Sequence, residues 1–158
     1  VVLGTGEPQY EDMFRDAERR YPGRVAVRIG YDDTLARRIY SGADLLLMPS
    51  QKEPCGVSQL IAMRYGCIPL VREAGGLKDT VESFNPETNE GDGFSFAHYN
   101  AHDMLHVIRL ACDTYRDKKR WTILMKMAMK ADHSWKASAK EYVALYRRVM
   151  EEKFRVSN

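Results

Sequence analysis

Cysteine is scarce in this chain. Three residues, Cys55, Cys67 and Cys112, give an odd count without paired spacing, which argues against a disulfide framework and against a cysteine-built zinc site. No apolar run approaches the ~18 residues of a transmembrane helix, so no membrane span is expected. Neither sign of charge dominates. The 24 Lys and Arg set against 22 Asp and Glu leave a net charge of +2, which gives no electrostatic case for nucleic acid or an anionic membrane. Basic pairs such as Arg37-Arg38 and Arg147-Arg148 fall on predicted helices and read as solvated faces. Neither G-x-x-x-x-G-K-[ST] nor G-x-G-x-x-G occurs, so the two common phosphate-binding fingerprints are missing. His102 and His106 stand at i, i+4, a spacing that can chelate a metal. No acid or cysteine of suitable spacing joins them, and neither a metal nor a cofactor is expected. No signal peptide is visible. The chain opens on Val1-Val2-Leu3 without an initiator methionine, so a piece of a longer protein is expected.

What is present is ordinary globular material. The 158 residues are 44% apolar and 29% charged, enough for one domain with a real core. The first half alternates strand and helix. Val1–Gly4 reads as a buried strand, Gln9–Tyr21 as a helix with Tyr10, Met13, Phe14, Ala17 and Tyr21 on one stripe, and Val25–Ile29 as a second strand. Asp32 or Asp33 can cap the helix that follows, and Asp44–Met48, with its Leu45-Leu46-Leu47-Met48 run, reads as a strand buried on both faces. Val57–Tyr65 is a predicted helix, Cys67–Val71 a strand, and Leu77–Glu82 a short helix. This order predicts an α/β fold: a parallel sheet with helices on both faces. Ser83–Gly93 reads as a surface loop and Phe94–Phe96 as a last strand. The rest is helical over Ala101–Tyr115, Arg120–Lys130 and Trp135–Lys153, with Asn100 and Ser134 as caps. Cys67 and Cys112 are placed in the core. Trp135, Tyr142, Leu145, Tyr146 and Val149 are placed on the inward face of the final helix.

The stretch Asp44–Val81 organises the rest. Two successive strands each end in a loop with glycine just before a helix: Gly56 in PSQKEPCG, and Gly75-Gly76 in REAGGL. Ligands of parallel sheets bind at such carboxyl ends. The amides of Gly56, Val57 and Ser58 begin a helix, carry its positive dipole end and suit a diphosphate without a lysine. Gly75-Gly76 offers another set of amides. Glu53, a lone carboxylate, cannot bind the anion, because like charges repel; it suits sugar hydroxyls or developing positive charge. Cys55 has no identifiable base to make it a nucleophile. Tyr31 follows a strand end and can stack on a base; read from pattern alone it is core or rim packing.

EPCGVSQL at Glu53–Leu60, followed by AMRYGCIPLVREAGGLKDTV at Ala62–Val81, resembles the bacterial glycogen synthase and plant starch synthase family of glycosyltransferases. LGTGEP at Leu3–Pro8, IGYDD at Ile29–Asp33, RRIYSGADLLLMPS at Arg37–Ser50 and HSWKASAKEYVALY at His133–Tyr146 agree. The resemblance implies transfer of glucose from ADP-glucose or UDP-glucose to the non-reducing end of an α-1,4-glucan with retention of configuration. It implies a GT-B fold of two Rossmann-like domains, of which residues 1–158 would be the C-terminal, donor-binding one, truncated at its start and lacking the acceptor-binding domain. It implies a cytoplasmic protein, or a plastid one if from a plant. Carried over residue by residue, Glu53 is the catalytic loop glutamate by the donor glucose. Gly56, Val57 and Ser58 bind the diphosphate, Tyr31 stacks near the adenine, and Cys55, Gly75 and Gly76 line the sugar pocket. Two positions depart from the family's habit: Val57 stands where leucine is common and Ala74 where threonine is common. An arginine and a lysine that neutralise the diphosphate are expected upstream of Val1. A related transferase of sucrose or trehalose synthase type, and a non-catalytic nucleotide-binding module, remain as alternatives.

Overall fold

The structure, a computed structural model, describes residues 1–156. Among the described residues, five strands and four helices alternate through the first part of the chain: β1 (Val2–Gly4), α1 (Pro8–Arg20), β2 (Val27–Ile29), α2 (Asp33–Gly42), β3 (Leu45–Met48), α3 (Ser58–Tyr65), β4 (Ile68–Arg72), α4 (Gly76–Thr80) and β5 (Phe94–Phe96). Then come α5 (Ala101–Arg116), α6 (Lys118–Lys130) and α7 (Trp135–Val156). All three strand pairs are parallel, as the β-α alternation predicts, because parallel neighbours need a crossover helix between them. The strands form two pieces: β1 pairs β2, and β3-β4-β5 form a separate sheet.

Local chemistry sets many of the boundaries. Asp32 caps α2, its side chain accepting from the Leu35 amide at 2.8 Å, and Asn100 caps α5 through the Asp103 amide at 2.9 Å. Ser134 accepts from the Ala137 amide at the start of α7. Gly66, left-handed at φ 76°, ends α3 and turns the chain directly into β4.

The core lies against the three-stranded sheet. Met63, Ile68, Leu70, Phe84, Phe94, Phe96, Val107, Ala111, Trp121, Leu124 and Ala128 pack as one cluster, built from α3, α5, α6, β5 and one face of β4, whose other face puts Val71 against Leu77 and Val81. Phe84 belongs to the segment predicted as a polar surface loop. It is buried because Ser83 and Gly93 bridge in parallel and draw the loop's base onto the sheet.

Four burial expectations are corrected. The strand buried on both faces is β4, all of whose residues from Ile68 to Val71 are buried, and not β3, where Leu47 is 44% exposed. The reason is topological: β4 has neighbours on both edges, while β3 pairs with β4 alone. β1 is only half-buried, and α1 has no buried residue, leaving Tyr10, Met13 and Tyr21 exposed. Cys112 on α5 is exposed rather than in the core. On α7, Trp135, Tyr142, Leu145, Tyr146 and Val149 are all exposed. Their i, i+3, i+4 spacing is a genuine amphipathic stripe, but no element among the described residues covers it.

The contrast between α6 and α7 is testable by urea unfolding. Leu124→Ala, at a fully buried site, should cost about 2–5 kcal/mol. Leu145→Ala should stay within about 0.5 kcal/mol of the parent, as exposed substitutions do.

Candidate functional site: two glycine loops at the carboxyl ends of β3 and β4

β3 and β4 are in register from Leu45↔Ile68 to Met48↔Val71. The loops that leave them therefore start from the same sheet edge, one strand spacing apart, about 4.8 Å. The first loop, residues 49–57, carries Glu53, Cys55 and Gly56. The second, residues 73–75, leads into α4. They touch backbone to backbone. The Gly76 amide donates to the Glu53 carbonyl at 3.3 Å. A Cβ on Gly75 would lie 2.0 Å from the Glu53 carbonyl oxygen, and one on Gly76 would lie 1.9 Å from that of Cys55. Gly75 also has φ +47°, in the left-handed region. Only glycine fits at either place.

That contact narrows one reading of the second loop: the amides of Gly76, Leu77 and Lys78 are already bonded, and that of Gly75 has no acceptor among the described residues. Gly76 bonds Glu53, Leu77 bonds the Ala74 carbonyl, and Lys78 bonds the Gly75 carbonyl. The glycines serve here to let one loop lie on the other. The first loop keeps its amides. Helix α3 starts at Ser58 with no side-chain cap on Val57, and among the described residues the amides of Gly56, Val57 and Ser58 have no acceptor. Gly56, at φ +73°, makes the turn into that helix start. Three unpaired N–H groups at the positive end of an eight-residue helix attract an anion.

Glu53 is half-buried in this loop, and its carboxylate accepts from the Ser50 hydroxyl at 3.4 Å. Cys55 and Val57 are exposed. Cys55 is a free thiol with no base bonded to it, which removes support for a nucleophilic role. Tyr31 is 95% exposed, so the packing alternative for this residue is overturned. It follows β2, in the other sheet, and makes no bond to either glycine loop. The structure thus brings Glu53, Cys55, Gly56, Val57, Ser58, Gly75 and Gly76 together and leaves Tyr31 apart.

Two residues at the site went unread in the sequence. Arg72, at the end of β4, donates through Nη1 to the carbonyls of Ser50 at 3.2 Å and Gln51 at 3.1 Å, and its guanidinium lies 5.4 Å from the centre of the Tyr99 ring. It staples the start of the first loop to the sheet. Gln59 is fully buried on α3. A signal for it existed: positions 59, 62 and 63 share the core-facing side of the helix, and glutamine is the polar member. A separate cavity of about 490 Å³ adjoins α4, lined by Glu73, Asp79, Glu82, Asp92, Lys78 and His133. Burial pushes the Asp92 carboxyl above its ordinary value, against a bond from the Glu82 amide. No first-loop residue lines this cavity.

Residues 1–123 match the family of glycosyl transferases group 1. The chain belongs to the group 1 glycosyl transferases. It is 53% identical over 150 residues to a glycogen synthase of Desulforamulus reducens, covering 95% of this chain and 31% of that protein. A glycogen synthase of Bacillus cereus is 52% identical over 151 residues, covering 96% of this chain and 32% of that protein. Among solved structures, the catalytic domain of starch synthase IV from Arabidopsis thaliana, bound to ADP and acarbose, matches with a TM-score of 0.78 and 35% identity, over 93% of this chain and 31% of that one. The chain thus spans about a third of the length of these relatives. For a group 1 glycosyl transferase domain, the α/β fold with parallel strands and the glycine loops at their carboxyl ends are in keeping with the resemblance that the loop sequences carry.

Two measurements check the site's architecture. Burial, with the Asp44 charge adding to it, pushes the Cys67 thiol up to about 11, whereas Cys55 and Cys112 are exposed. Thiol titration at pH 8 should find two fast cysteines and one that reacts only on unfolding. Gly76→Ala should destabilise the fold or part the loops, because its methyl meets backbone. Gly6→Ala, in open space, should leave the melting temperature within about 2 °C of the parent.

Proposed function

We propose that residues 1–158 form the donor-binding half of a retaining glycosyltransferase that moves glucose from ADP-glucose, or UDP-glucose, to the non-reducing end of an α-1,4-glucan. The full protein would add an acceptor-binding domain and act in glycogen or starch synthesis, in the cytoplasm or a plastid. The observation that carries this reading is the first loop itself. It carries a half-buried carboxylate, Glu53, and leads into a helix start with three unpaired amides, in a chain 53% identical to a glycogen synthase. The solved starch synthase IV domain is bound to ADP and acarbose, which supports a nucleotide-linked donor here.

In the reaction the bond from the glucose anomeric carbon to the diphosphate oxygen breaks, and its electron pair leaves with ADP. The acceptor hydroxyl oxygen bonds the anomeric carbon, and its proton passes to the departing diphosphate oxygen. Negative charge grows on the departing diphosphate while positive charge grows on the sugar. The amides of Gly56, Val57 and Ser58 face the first and Glu53 faces the second, so each group stabilises the charge that develops in the transition state. Cys55 and the Gly75-Gly76 turn would border the glucose. Tyr31, exposed and close after the end of β2, would stack on the base. An arginine and a lysine outside this chain would complete the neutralisation of the diphosphate.

Calorimetry with ADP, ADP-glucose, UDP-glucose and glucose against the full-length protein tests this reading. ADP binding should weaken about tenfold in Tyr31→Ala, in line with a lost base-stacking contact of ~1–3 kcal/mol. Glu53→Gln should lower kcat on the order of 100–1,000-fold, the scale of losing one charge-stabilising group, while ADP still binds. Residues 1–158 alone should show little or no glucan synthesis; robust turnover by this chain would sink the half-site reading.

A further inference from the structure

Gln59 is 0% exposed, on the helix whose Ala62 and Met63 are also buried. Its Nε2 donates to the Gly56 carbonyl at 3.0 Å and to Thr80 Oγ1 at 3.1 Å, with the Cys55 carbonyl at 3.5 Å. Thr80 Oγ1 in turn donates to the Gly76 carbonyl at 2.6 Å. One side chain thus grips the first loop and reaches the second through a hydroxyl. Its own Oε1 is buried without a partner. An orphan buried acceptor is costly, and a leucine would fill the space without it. The amide's value lies in what Nε2 holds.

A peptide unit is planar and trans, so its carbonyl and the next residue's N–H point in opposite directions. Nε2 carries two hydrogens, and the Gly56 carbonyl and the Thr80 hydroxyl are the two nearer acceptors. Fixing the Gly56 carbonyl fixes the aim of the Val57 amide, one of the three unpaired amides at the start of α3. We propose that Gln59 is a positioning residue for the donor: it holds the Gly56 carbonyl inward so that the Val57 amide faces outward to the diphosphate, and Thr80 locks that arrangement to the Gly75-Gly76 turn. The inference rests on the donor-binding reading above.

The test uses the full-length protein, with ADP affinity by calorimetry and steady-state kinetics for donor and acceptor. Gln59→Leu should weaken ADP and raise the donor KM about tenfold, with the acceptor KM unchanged within about twofold, because well-aimed bonds to a charged group are worth more than neutral ones. Thr80→Val should move the same two quantities in the same direction, and Thr80→Ser, which keeps the hydroxyl, should restore them. The double variant Gln59→Leu, Thr80→Val should be no worse than Gln59→Leu alone, as members of one linkage are not additive. A residue that merely filled the core would lower the folded fraction and scale kcat while leaving ADP affinity and donor KM at parental values; that outcome overturns the proposal. Should Gln59→Leu fail to fold, Thr80→Val decides, and parental ADP affinity in it is equally fatal. If the unmutated protein binds no ADP, the donor-binding reading itself has failed and the role of Gln59 falls with it.

Discussion

Two carbonyl oxygens, those of Glu53 and Cys55, lie where the side chains of residues 75 and 76 would begin. The contact follows from the sheet. Strands β3 and β4 are adjacent, parallel and in register, so their outgoing loops emerge side by side at one strand spacing, too close for two layers of side chains. The chain meets this with glycine on one loop and exposed carbonyls on the other. The Gly76 amide then bonds the Glu53 carbonyl. Each loop becomes the support of the other, and Glu53 is held by backbone on one side and by Ser50 on the other. Arg72 tightens the entry to the first loop, and Gln59 with Thr80 tightens its exit.

The parts of this arrangement that depend on short-range chemistry were legible in the sequence. The β-α alternation, the caps at Asp32 and Asn100, and the glycine turn before α3 all rest on residues a few positions apart. The parts that failed depend on what lies beside an element, which periodicity does not report. Leu45–Met48 has the apolar run of a central strand, yet β3 pairs on one edge only. The stripe on α7 is regular, yet its residues are exposed. Cys112 sits one position off the buried line of Val107, Ala111 and Thr114 on α5. Gly75 and Gly76 are legible, but the Gly76 amide reads as free for a ligand because its partner, Glu53, is some twenty positions away in the chain. Gln59 is the intermediate case: its place on the core face was readable, while its grip on Thr80 was not.

Charge explains why the aim of a few amides matters so much. On the proposed reading the first loop must hold a diphosphate within reach of Glu53, a group of the same sign. The cations that the chain has nearby are poorly placed for it. Lys52 is on the loop but exposed, where solvent screens its field. Arg72 spends its Nη1 on two carbonyls and faces the Tyr99 ring. What remains is the start of α3, whose dipole amounts to about half a charge and fades within a turn. A half charge attracts a diphosphate only at short range, through N–H groups pointed at it. Rotating one peptide plane would turn an amide away and a carbonyl toward the anion, changing attraction into repulsion. A loop that can tilt is then a poor donor site, and one pinned at Glu53 and Gly56 is a good one. The remaining negative charge calls for cations contributed by groups outside this chain, which is why a firmly built half-site would bind a nucleotide more readily than it would turn one over.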